Sequence, residues 1–190
     1  MKIYRLTYKE MPWDDYGDIL LIGMTDRLGR RNGLLQYERT GPFQPDIIIS
    51  GSDDLLVTDS VKRKIELSGL MGFQFKPVIK RHVSIVDWTN WNLESKDPEF
   101  YPDNRRPENY ILALPHSQEL ADKMEKVWEV LVEENGTFLD SRTFKVGEKD
   151  VDIMRTPDSG WFLVTEKLKL WIENNCDNWT EFWDLDDLPY

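Results

Sequence analysis

The first fifty residues alternate between short apolar runs and polar turns. Residues 2–8 (KIYRLTY) alternate in side-chain character, and residues 18–24 (DILLIGM), 33–38 (GLLQYE) and 46–50 (DIIIS) are mainly apolar runs. Short runs of this kind, bounded by glycine or polar residues, are typical of β-strands. Residues 25–33 (TDRLGRRNG) are polar and contain glycine, as expected of a connecting loop. We therefore predict an antiparallel sheet in this part of the chain.

The pattern changes at residues 55–66 (LLVTDSVKRKIE), where an apolar strand end runs into a short helix. Thr58 or Asp59 can accept the free N–H groups of a first helical turn. Val61 and Ile65 then fall on one face at a spacing of four residues. This segment predicts a short amphipathic helix.

The next three segments predict a strand, a long loop and a further strand. Residues 72–88 (GFQFKPVIKRHVSIVDW) alternate like a strand, with Pro77 at an edge position or a bulge. Residues 88–109 contain three prolines, many polar residues and little periodicity. Loops of this length are uncommon in compact domains and are often functional. Residues 110–114 (YILAL) are apolar and predict the strand that follows the loop.

A longer central helix is predicted to begin at Ser117, whose side chain can cap the first turn. Its apolar positions follow the spacing of one helical face: Leu120, Met124, Val127, Trp128 and Leu131. Gly136 marks the end of this helix. Residues 137–146 and 151–156 then supply further strand candidates.

Residues 162–173 (FLVTEKLKLWIE) nearly repeat the phrase at 55–66. Thr165 takes the place of the helix cap, and Leu168, Trp171 and Ile172 form the apolar stripe. Both copies run from an apolar strand end through a threonine into a short helix, so each is expected to bury one helical face against a sheet. We interpret the phrase as architecture, since it contains no activated nucleophile and no pair of metal ligands.

Together these elements predict an α+β fold with a mainly antiparallel sheet, two short helices from the duplicated phrase and one longer central helix. We expect a single domain over residues 1–190. Within it, residues 55–75 and 162–183 form a weak internal duplication, and residues 88–109 form a long loop.

The chain is acidic, with 35 acidic against 24 basic residues and a formal net charge of -11. This charge argues against free nucleic acid as a ligand, because phosphate binding needs clustered Lys and Arg. The acidity is compatible with a basic protein partner, and also with a role in solubility alone. Eight of the residues are Trp. Trp serves cores, sugar platforms and protein interfaces equally well.

Nothing in the sequence predicts export or membrane insertion. Residues 1–13 lack a basic segment followed by an apolar run, and no stretch approaches the roughly 18 apolar residues that span a bilayer. Cys176 is the only cysteine, so no internal disulfide can form. We therefore expect a cytoplasmic protein.

The candidate catalytic groups lack a recognisable arrangement. His82 and His116 do not have the i, i+4 spacing of a zinc protease motif, so a structural role is expected for both. Cys176 lies beside an aspartate, which raises a thiol pKa and lowers reactivity. No glycine-rich phosphate cradle is present, and carboxylate pairs arise from the abundance of acidic residues. We expect no enzyme activity, no metal and no cofactor.

Three segments in order resemble a known family: residues 55–78 (LLVTDSVKRKIELSGLMGFQFKPV), then a Trp-rich loop leading into 107–114 (PENYILAL), then 160–173 (GWFLVTEKLKLWIE). They resemble bacterial immunity proteins of polymorphic toxin systems, in particular the eleventh immunity family, formerly catalogued as a domain of unknown function. The resemblance covers roughly Asp53 to the C-terminus. It implies a cytosolic protein that binds and neutralises one cognate toxin. It transfers no site residues and no zinc, because the paired cysteines of a related group are missing here.

The leading hypothesis is a binding protein whose acidic, aromatic surface covers a toxin domain that has a basic surface. The candidate contact residues lie in the long loop and the C-terminal tail: Trp88, Trp91, Phe100, Tyr101, Asp184, Asp186, Asp187 and Tyr190. An alternative is that Trp88 and Trp91 pack beneath their own loop. A rival function is a carbohydrate-binding or carbohydrate-active domain with Trp platforms and paired carboxylates. An acidic mimic of DNA that blocks a nuclease is a special case of the first hypothesis.

Overall fold

The structure is a computed structural model that describes residues 2–25, 27–50, 54–138, 144–157 and 159–185. Within these ranges the α-helices are α1 (Asp15–Ile22), α2 (Asp59–Ser68), α3 (Asn109–Leu112), α4 (Gln118–Lys123) and α5 (Glu166–Asn175). The strands are β1 (Ile3–Tyr8), β2 (Arg30–Arg31), β3 (Leu34–Gly41), β4 (Ile47–Ile49), β5 (Leu55–Thr58), β6 (Gln74–Pro77), β7 (Ile79–Ile85), β8 (Val127–Leu131), β9 (Gly136–Phe138), β10 (Phe144–Val146), β11 (Ile153–Arg155), β12 (Phe162–Thr165) and β13 (Thr180–Asp184). None of the described helices is long and apolar enough to cross a lipid bilayer.

The described strands form four sheets, with orders β4-β5-β8-β6, β11-β12-β1-β13, β2-β3-β7 and β9-β10. Their ladders are antiparallel except for the pairing of β3 with β7. The described ranges combine five short helices with these mainly antiparallel sheets, which confirms the predicted α+β class.

The two four-stranded sheets have the same topology and exchange one strand. In the first repeat, the hairpin β4–β5 leads through α2 to β6, and β8 is inserted between β5 and β6. In the second repeat, the hairpin β11–β12 leads through α5 to β13, and β1 is inserted between β12 and β13. Each inserted strand runs antiparallel to both neighbours. Strand β1, which comes before the first repeat in the chain, therefore completes the sheet of the second repeat. Strand β8, which comes before the second repeat, completes the sheet of the first.

The duplicated phrase forms the second hairpin strand, the cap and the helix of each repeat. Thr58 Oγ1 accepts the Val61 N–H at 3.4 Å, and Thr165 Oγ1 accepts the Leu168 N–H at 3.3 Å. Side chains from both copies meet in one core cluster: Leu55, Val57, Val61, Ile65, Phe162, Val164, Leu168 and Ile172. Both predicted helices are therefore confirmed, and they bury their apolar faces in a core that the two sheets share.

The lysine that both copies share also has a structural role. Lys62 Nζ lies 2.7 Å from Glu66 Oε1 and 4.7 Å from the centroid of the Trp128 ring in β8. Lys169 lies 2.9 Å from the equivalent glutamate and 5.2 Å from the Tyr4 ring in β1. Each lysine thus joins a glutamate of its own helix to an aromatic ring of the inserted strand.

An aspartate before each hairpin ties the two repeats together. Asp152 Oδ1 accepts the hydroxyl of its own cap threonine at 3.0 Å, and its Oδ2 accepts the Met71 N–H at 2.9 Å, just after α2. Asp46 Oδ1 accepts the hydroxyl of the other cap threonine at 3.4 Å, and its Oδ2 accepts the Asp177 N–H at 2.9 Å, just after α5. Each carboxylate therefore links the start of its own helix to the end of the other repeat's helix.

The predicted strand at residues 18–24 is wrong, because this run forms most of α1. The helix buries three consecutive apolar residues that end in Ile22. A short apolar run does not distinguish a buried strand from a buried helix. Asp15 and Asp18 in the first turn favour the helix, since acidic side chains interact well with its positive end.

The predicted long central helix is also wrong, since a short helix and a strand replace it. Ser117 Oγ accepts the Leu120 N–H at 3.2 Å and caps α4 as predicted, but this helix ends at Lys123. Residues 127–131 form β8, an inner strand of the first sheet. Their β-branched and aromatic side chains suit a strand, and the neighbours β5 and β6 satisfy the backbone on both sides.

Two further strand predictions need correction. Residues 72–88 contain two strands, β6 and β7, which belong to different sheets, and Pro77 ends β6 at a sheet edge. Residues 110–114 include the end of α3 and no strand. Pro107 lies just before the N-cap residue Glu108 and opens the turn that leads into α3. The Tyr110 N–H donates to the Pro107 carbonyl at 3.1 Å.

Candidate protein-binding surface

The long loop folds over the segment that leads into and begins α1. Two aromatic side chains of that segment donate to loop carbonyls: Trp13 to Ser95 at 2.9 Å and Tyr16 to Arg105 at 2.9 Å. Because these contacts hold two separate points of the loop against that segment, residues 11–18 and 87–109 form one continuous surface. We call these two ranges the loop surface.

An aromatic cluster packs beneath the loop. The Trp91 ring lies 5.5 Å from Trp13, 5.1 Å from Phe100 and 6.0 Å from Tyr110. Tyr110 is fully buried, its hydroxyl donates to the Phe100 carbonyl at 2.5 Å, and burial raises its pKa. Tilted and edge-to-face contacts of this kind stabilise a cluster beyond the area they bury. The loop is therefore held by packed rings although it contains no strand.

Short polar contacts fix the loop further. It contains one single-turn 3₁₀ helix, Trp88–Asn90, and a turn at Asp103–Arg105 in which Asn104 and Arg105 have positive φ angles of 56° and 52°. The Asp87 carboxylate accepts the Thr89 hydroxyl at 3.2 Å and the Asn90 amide at 2.7 Å. Such local side-chain bonds take the place of a regular ladder in turns. Local hydrogen bonds thus order the loop in addition to the packed rings beneath it.

The predicted contact residues of the loop lie in different environments. Trp88 is fully buried, so it cannot touch a partner, and the prediction that it does is corrected. It belongs to an apolar core cluster beneath the loop, as the alternative interpretation has it. Trp91 is half-buried in the aromatic cluster. Phe100 and Tyr101 remain available, at 46% and 37% exposed.

The C-terminal part of the predicted contact set is less well placed. Asp184 ends β13, and its Oδ2 lies 3.2 Å from Lys2 Nζ. Asp186, Asp187 and Tyr190 lie outside the described residues. A contact role for these four residues stays a prediction. The structural argument for a protein-binding surface therefore rests on the loop surface.

Acidic side chains dominate the loop surface. It carries nine Asp and Glu residues against three Lys and Arg residues, a net -6 of the chain's -11. One of the three cations, Arg105, lies with its guanidinium carbon 4.9 Å from the centroid of the Tyr101 ring. Seven of the acids in the two segments are largely exposed: Asp14, Asp15, Asp87, Glu94, Asp97, Glu99 and Asp103. A surface of this sign beside exposed rings attracts basic macromolecules.

A cleft of about 430 Å³ extends the loop surface on one side. Its lining combines the apolar side chains of Ile19 and Ile22 with the carboxylates of Asp15, Asp18 and Glu108. Burial, together with the charge of the nearby Asp15, raises the pKa of Asp18. A positive group entering the cleft would therefore favour the ionised form of Asp18.

The contribution of residues 11–18 to this surface was not predicted. The run PWDDYGD at 12–18 holds two aromatic residues and three aspartates, and this density was the available signal. The strand predicted at 18–24 concealed this signal, because a helix that begins at Asp15 brings Asp15, Tyr16 and Asp18 together on one turn and a strand does not. The acidic and aromatic character that was predicted for the loop alone is a property of residues 11–18 and 87–109 together.

The two histidines lie together, with ring centroids 5.4 Å apart. His82 Nε2 donates to the Leu114 carbonyl at 3.1 Å, and His116 Nδ1 accepts the Val83 N–H at 3.0 Å. Both rings thus hold backbone groups beside β7.

Burial raises the pKa of Cys176 to about 12. No three His, Cys, Asp or Glu side chains of the described ranges converge as a metal site.

No protein-family model matches the chain, and no curated protein matches it. The functional assignment therefore rests on the residues and geometry of the loop surface.

Proposed function

We propose that this protein is an immunity protein that binds and neutralises a cognate toxin domain with a basic surface. The observation that carries the proposal is the loop surface, which has a net charge of -6 and exposes Phe100 and Tyr101. Tight inhibitory complexes combine complementary charge, which speeds association, with a few aromatic anchors. The resemblance of residues 55–78, 107–114 and 160–173 to bacterial immunity proteins points to the same class of partner.

The order of the loop favours inhibition by docking. Each flexible side chain that binding immobilises costs about 0.5–1.5 kcal/mol. In the loop surface the Trp91 ring is already packed, and the Tyr101 hydroxyl already donates to Asp97 at 2.5 Å. Because these groups are held before a partner arrives, less free energy is lost on association.

The rival carbohydrate-binding function has less support from the positions of the indoles. A sugar platform needs the exposed face of an aromatic ring. Of the Trp residues in the described ranges, only Trp183 is largely exposed, at 40%, and the Arg5 guanidinium carbon lies 5.3 Å from its ring. Trp88 is buried and Trp91 packs against other rings.

The direct test is co-expression with the product of the neighbouring gene, which we expect to contain the toxin domain. Growth arrest by that domain is expected to be relieved by the wild-type chain, and the purified pair is expected to bind in calorimetry. Unchanged arrest together with no measurable binding would overturn the proposal.

A matched pair of charge-reversal variants tests the surface itself. The surface variant carries Asp15→Lys, Glu99→Lys and Asp103→Lys, and the control variant carries Glu134→Lys, Glu148→Lys and Asp150→Lys. Each raises the formal net charge from -11 to -5. The surface variant is expected to slow association with the toxin about tenfold or more and to weaken its salt dependence, while the control stays near wild type. An equal loss in both variants would assign the effect to total charge and contradict the proposed surface.

A further inference from the structure

Four polar atoms are buried without a hydrogen-bond partner among the described residues: Gln44 Nε2, Gln44 Oε1, Trp88 Nε1 and Asp177 Oδ1. Leaving a buried donor or acceptor unsatisfied costs about 1–3 kcal/mol. Native proteins therefore satisfy nearly all such atoms, with protein groups or with ordered water. Each such atom in a native structure calls for an explanation.

The residues concerned lie along one seam between the two repeats. The Trp88 ring lies 5.4 Å from Phe43, the residue before Gln44. On the other side of Gln44, Asp46 and Asp177 exchange two backbone-to-carboxylate hydrogen bonds, at 3.0 and 2.9 Å. Along the chain, Gln44 thus lies between Phe43, which packs against Trp88, and Asp46, which is hydrogen-bonded to Asp177.

A buried guanidinium borders the same seam. Arg39 is fully buried and donates to the Thr40 carbonyl at 2.6 Å, the Tyr37 hydroxyl at 3.0 Å and the Phe43 carbonyl at 2.8 Å. A guanidinium has five N–H groups, so these three bonds leave donors to spare. None of the described ion pairs includes Arg39, although the charge of Asp177 acts on it.

We propose that this seam is a buried polar site that binds ordered water between Gln44, Trp88 and Asp177. The unpartnered set holds both donors (the Trp88 and Gln44 N–H groups) and acceptors (Gln44 Oε1 and Asp177 Oδ1). Water supplies both kinds of partner, whereas an anion only accepts and meets the Asp177 carboxylate. A metal cation offers no acceptor and meets the Arg39 guanidinium. Buried waters with two to four such partners are a regular part of folded domains.

The Trp88 indole N–H gives a selective readout. In the ¹⁵N-labelled protein, this N–H is expected to show cross-relaxation with long-lived water, and Trp88→Phe assigns the signal by removing it. Trp13 is the matched control, because its indole donates to the Ser95 carbonyl at 2.9 Å and is also buried. Its N–H is expected to show no water contact. The absence of a water contact at Trp88, or an equal one at Trp13, would overturn the proposal.

A crystal structure at high resolution gives a second, independent measurement that needs no variant. Density for at least one water within about 3.2 Å of Trp88 Nε1 or Asp177 Oδ1 is expected. Gln44→Leu removes both amide atoms and is expected to lose or displace that water. Direct protein partners for Trp88 Nε1, Gln44 and Asp177 Oδ1, without water, would overturn the proposal even if Trp88→Phe failed to fold.

Discussion

The two repeats share one frame and differ in what covers their outer faces. Leu56 in β5 is fully buried in a large cluster that includes Trp13, Trp88 and Tyr110, beneath the loop surface. The equivalent Leu163 in β12 is fully buried in a much smaller cluster, which the β9–β10 hairpin covers with the side chains of β10. The candidate function therefore lies on segments added to one copy of a duplicated frame. Functional loops on a rigid scaffold are common for this reason.

The inserted strands carry opposite charges at equivalent positions. Glu129 in β8 is buried and forms two hydrogen bonds with the Arg30 guanidinium, at 2.8 and 2.6 Å. Arg5 in β1 lies with its guanidinium carbon 4.1 Å from the Trp161 ring and 5.3 Å from the Trp183 ring. Glu129 is thus stabilised by an ion pair, and stacking against two indoles contributes to the stabilisation of Arg5.

Removing the matched leucines is expected to have the largest effect on the comparison. Leu56→Ala and Leu163→Ala should each lower the free energy of unfolding by about 3 kcal/mol, because each leaves a cavity in a closed core. Only Leu56→Ala is expected to speed amide exchange in residues 87–109, because its cluster supports the loop. Urea unfolding and hydrogen exchange measure the two effects. Faster loop exchange in both variants would contradict the separation of the outer faces.

Substitutions at the charged positions of the inserted strands are expected to have the next largest effects on stability. Arg30→Ala leaves Glu129 buried without its partner and should lower the free energy of unfolding by about 2–3 kcal/mol. Arg5→Ala loses stacking on indoles and should lower it by about 1 kcal/mol. Arg31→Ala, at the exposed neighbour of Arg30, is the control and should change stability by less than about 0.5 kcal/mol. A larger loss for Arg5→Ala than for Arg30→Ala would reverse the proposed difference between the sheets.

The sequence predicted the features of this frame that depend on local signals. The threonine caps, the helices that follow them and the hairpin strands were all predicted, because capping and hydrophobic spacing act over a few residues. The exchange of β1 and β8 was not, since it depends on pairing between distant segments. The same cause explains the error at Val127–Leu131, where helical spacing was overridden by the place of β8 between two strands.

The loop that carries the candidate site could be recognised in the sequence, but the environment of its side chains could not. Composition located the loop at 88–109 correctly, because proline and polar residues exclude regular elements. Which aromatic residue is buried depends on partners elsewhere in the chain, so Trp88 and Phe100 could not be told apart. The contribution of Trp13 and Tyr16 likewise required the contact between α1 and the loop.

Substitutions at the two helix caps are expected to show a smaller difference in stability between the repeats. Thr58→Ala and Thr165→Ala should each lower the free energy of unfolding by about 1 kcal/mol, because each frees a helical N–H. The loss should be larger at Thr165, whose hydroxyl donates to Asp152 at 3.0 Å, than at Thr58, whose equivalent bond is 3.4 Å. Serine at either position keeps the hydroxyl and serves as control in urea unfolding. A serine variant as unstable as its alanine counterpart would show that the methyl group matters and the cap does not.

The junctions at the ends of the two helices differ in charge. In one junction, Asp152 accepts the N–H of Met71, which carries no charge. In the other, Asp46 accepts the N–H of Asp177, so two carboxylates lie together. Burial, together with the charge of Asp46, raises the pKa of Asp177 from 3.8 to about 6. This asymmetry makes one junction sensitive to pH.

Asp177→Asn tests that asymmetry. Because the folded state holds the Asp177 proton more tightly than the unfolded state, stability contributed by the protonated form is lost as pH rises from about 4 to 6. The variant should therefore gain about 1 kcal/mol over wild type at pH 8, after allowance for the partial exposure of the group, and nothing at pH 4. Urea unfolding at both pH values measures this, with the exposed Asp150→Asn as control. An equal gain at the two pH values would mean that packing, and not titration of Asp177, separates the junctions.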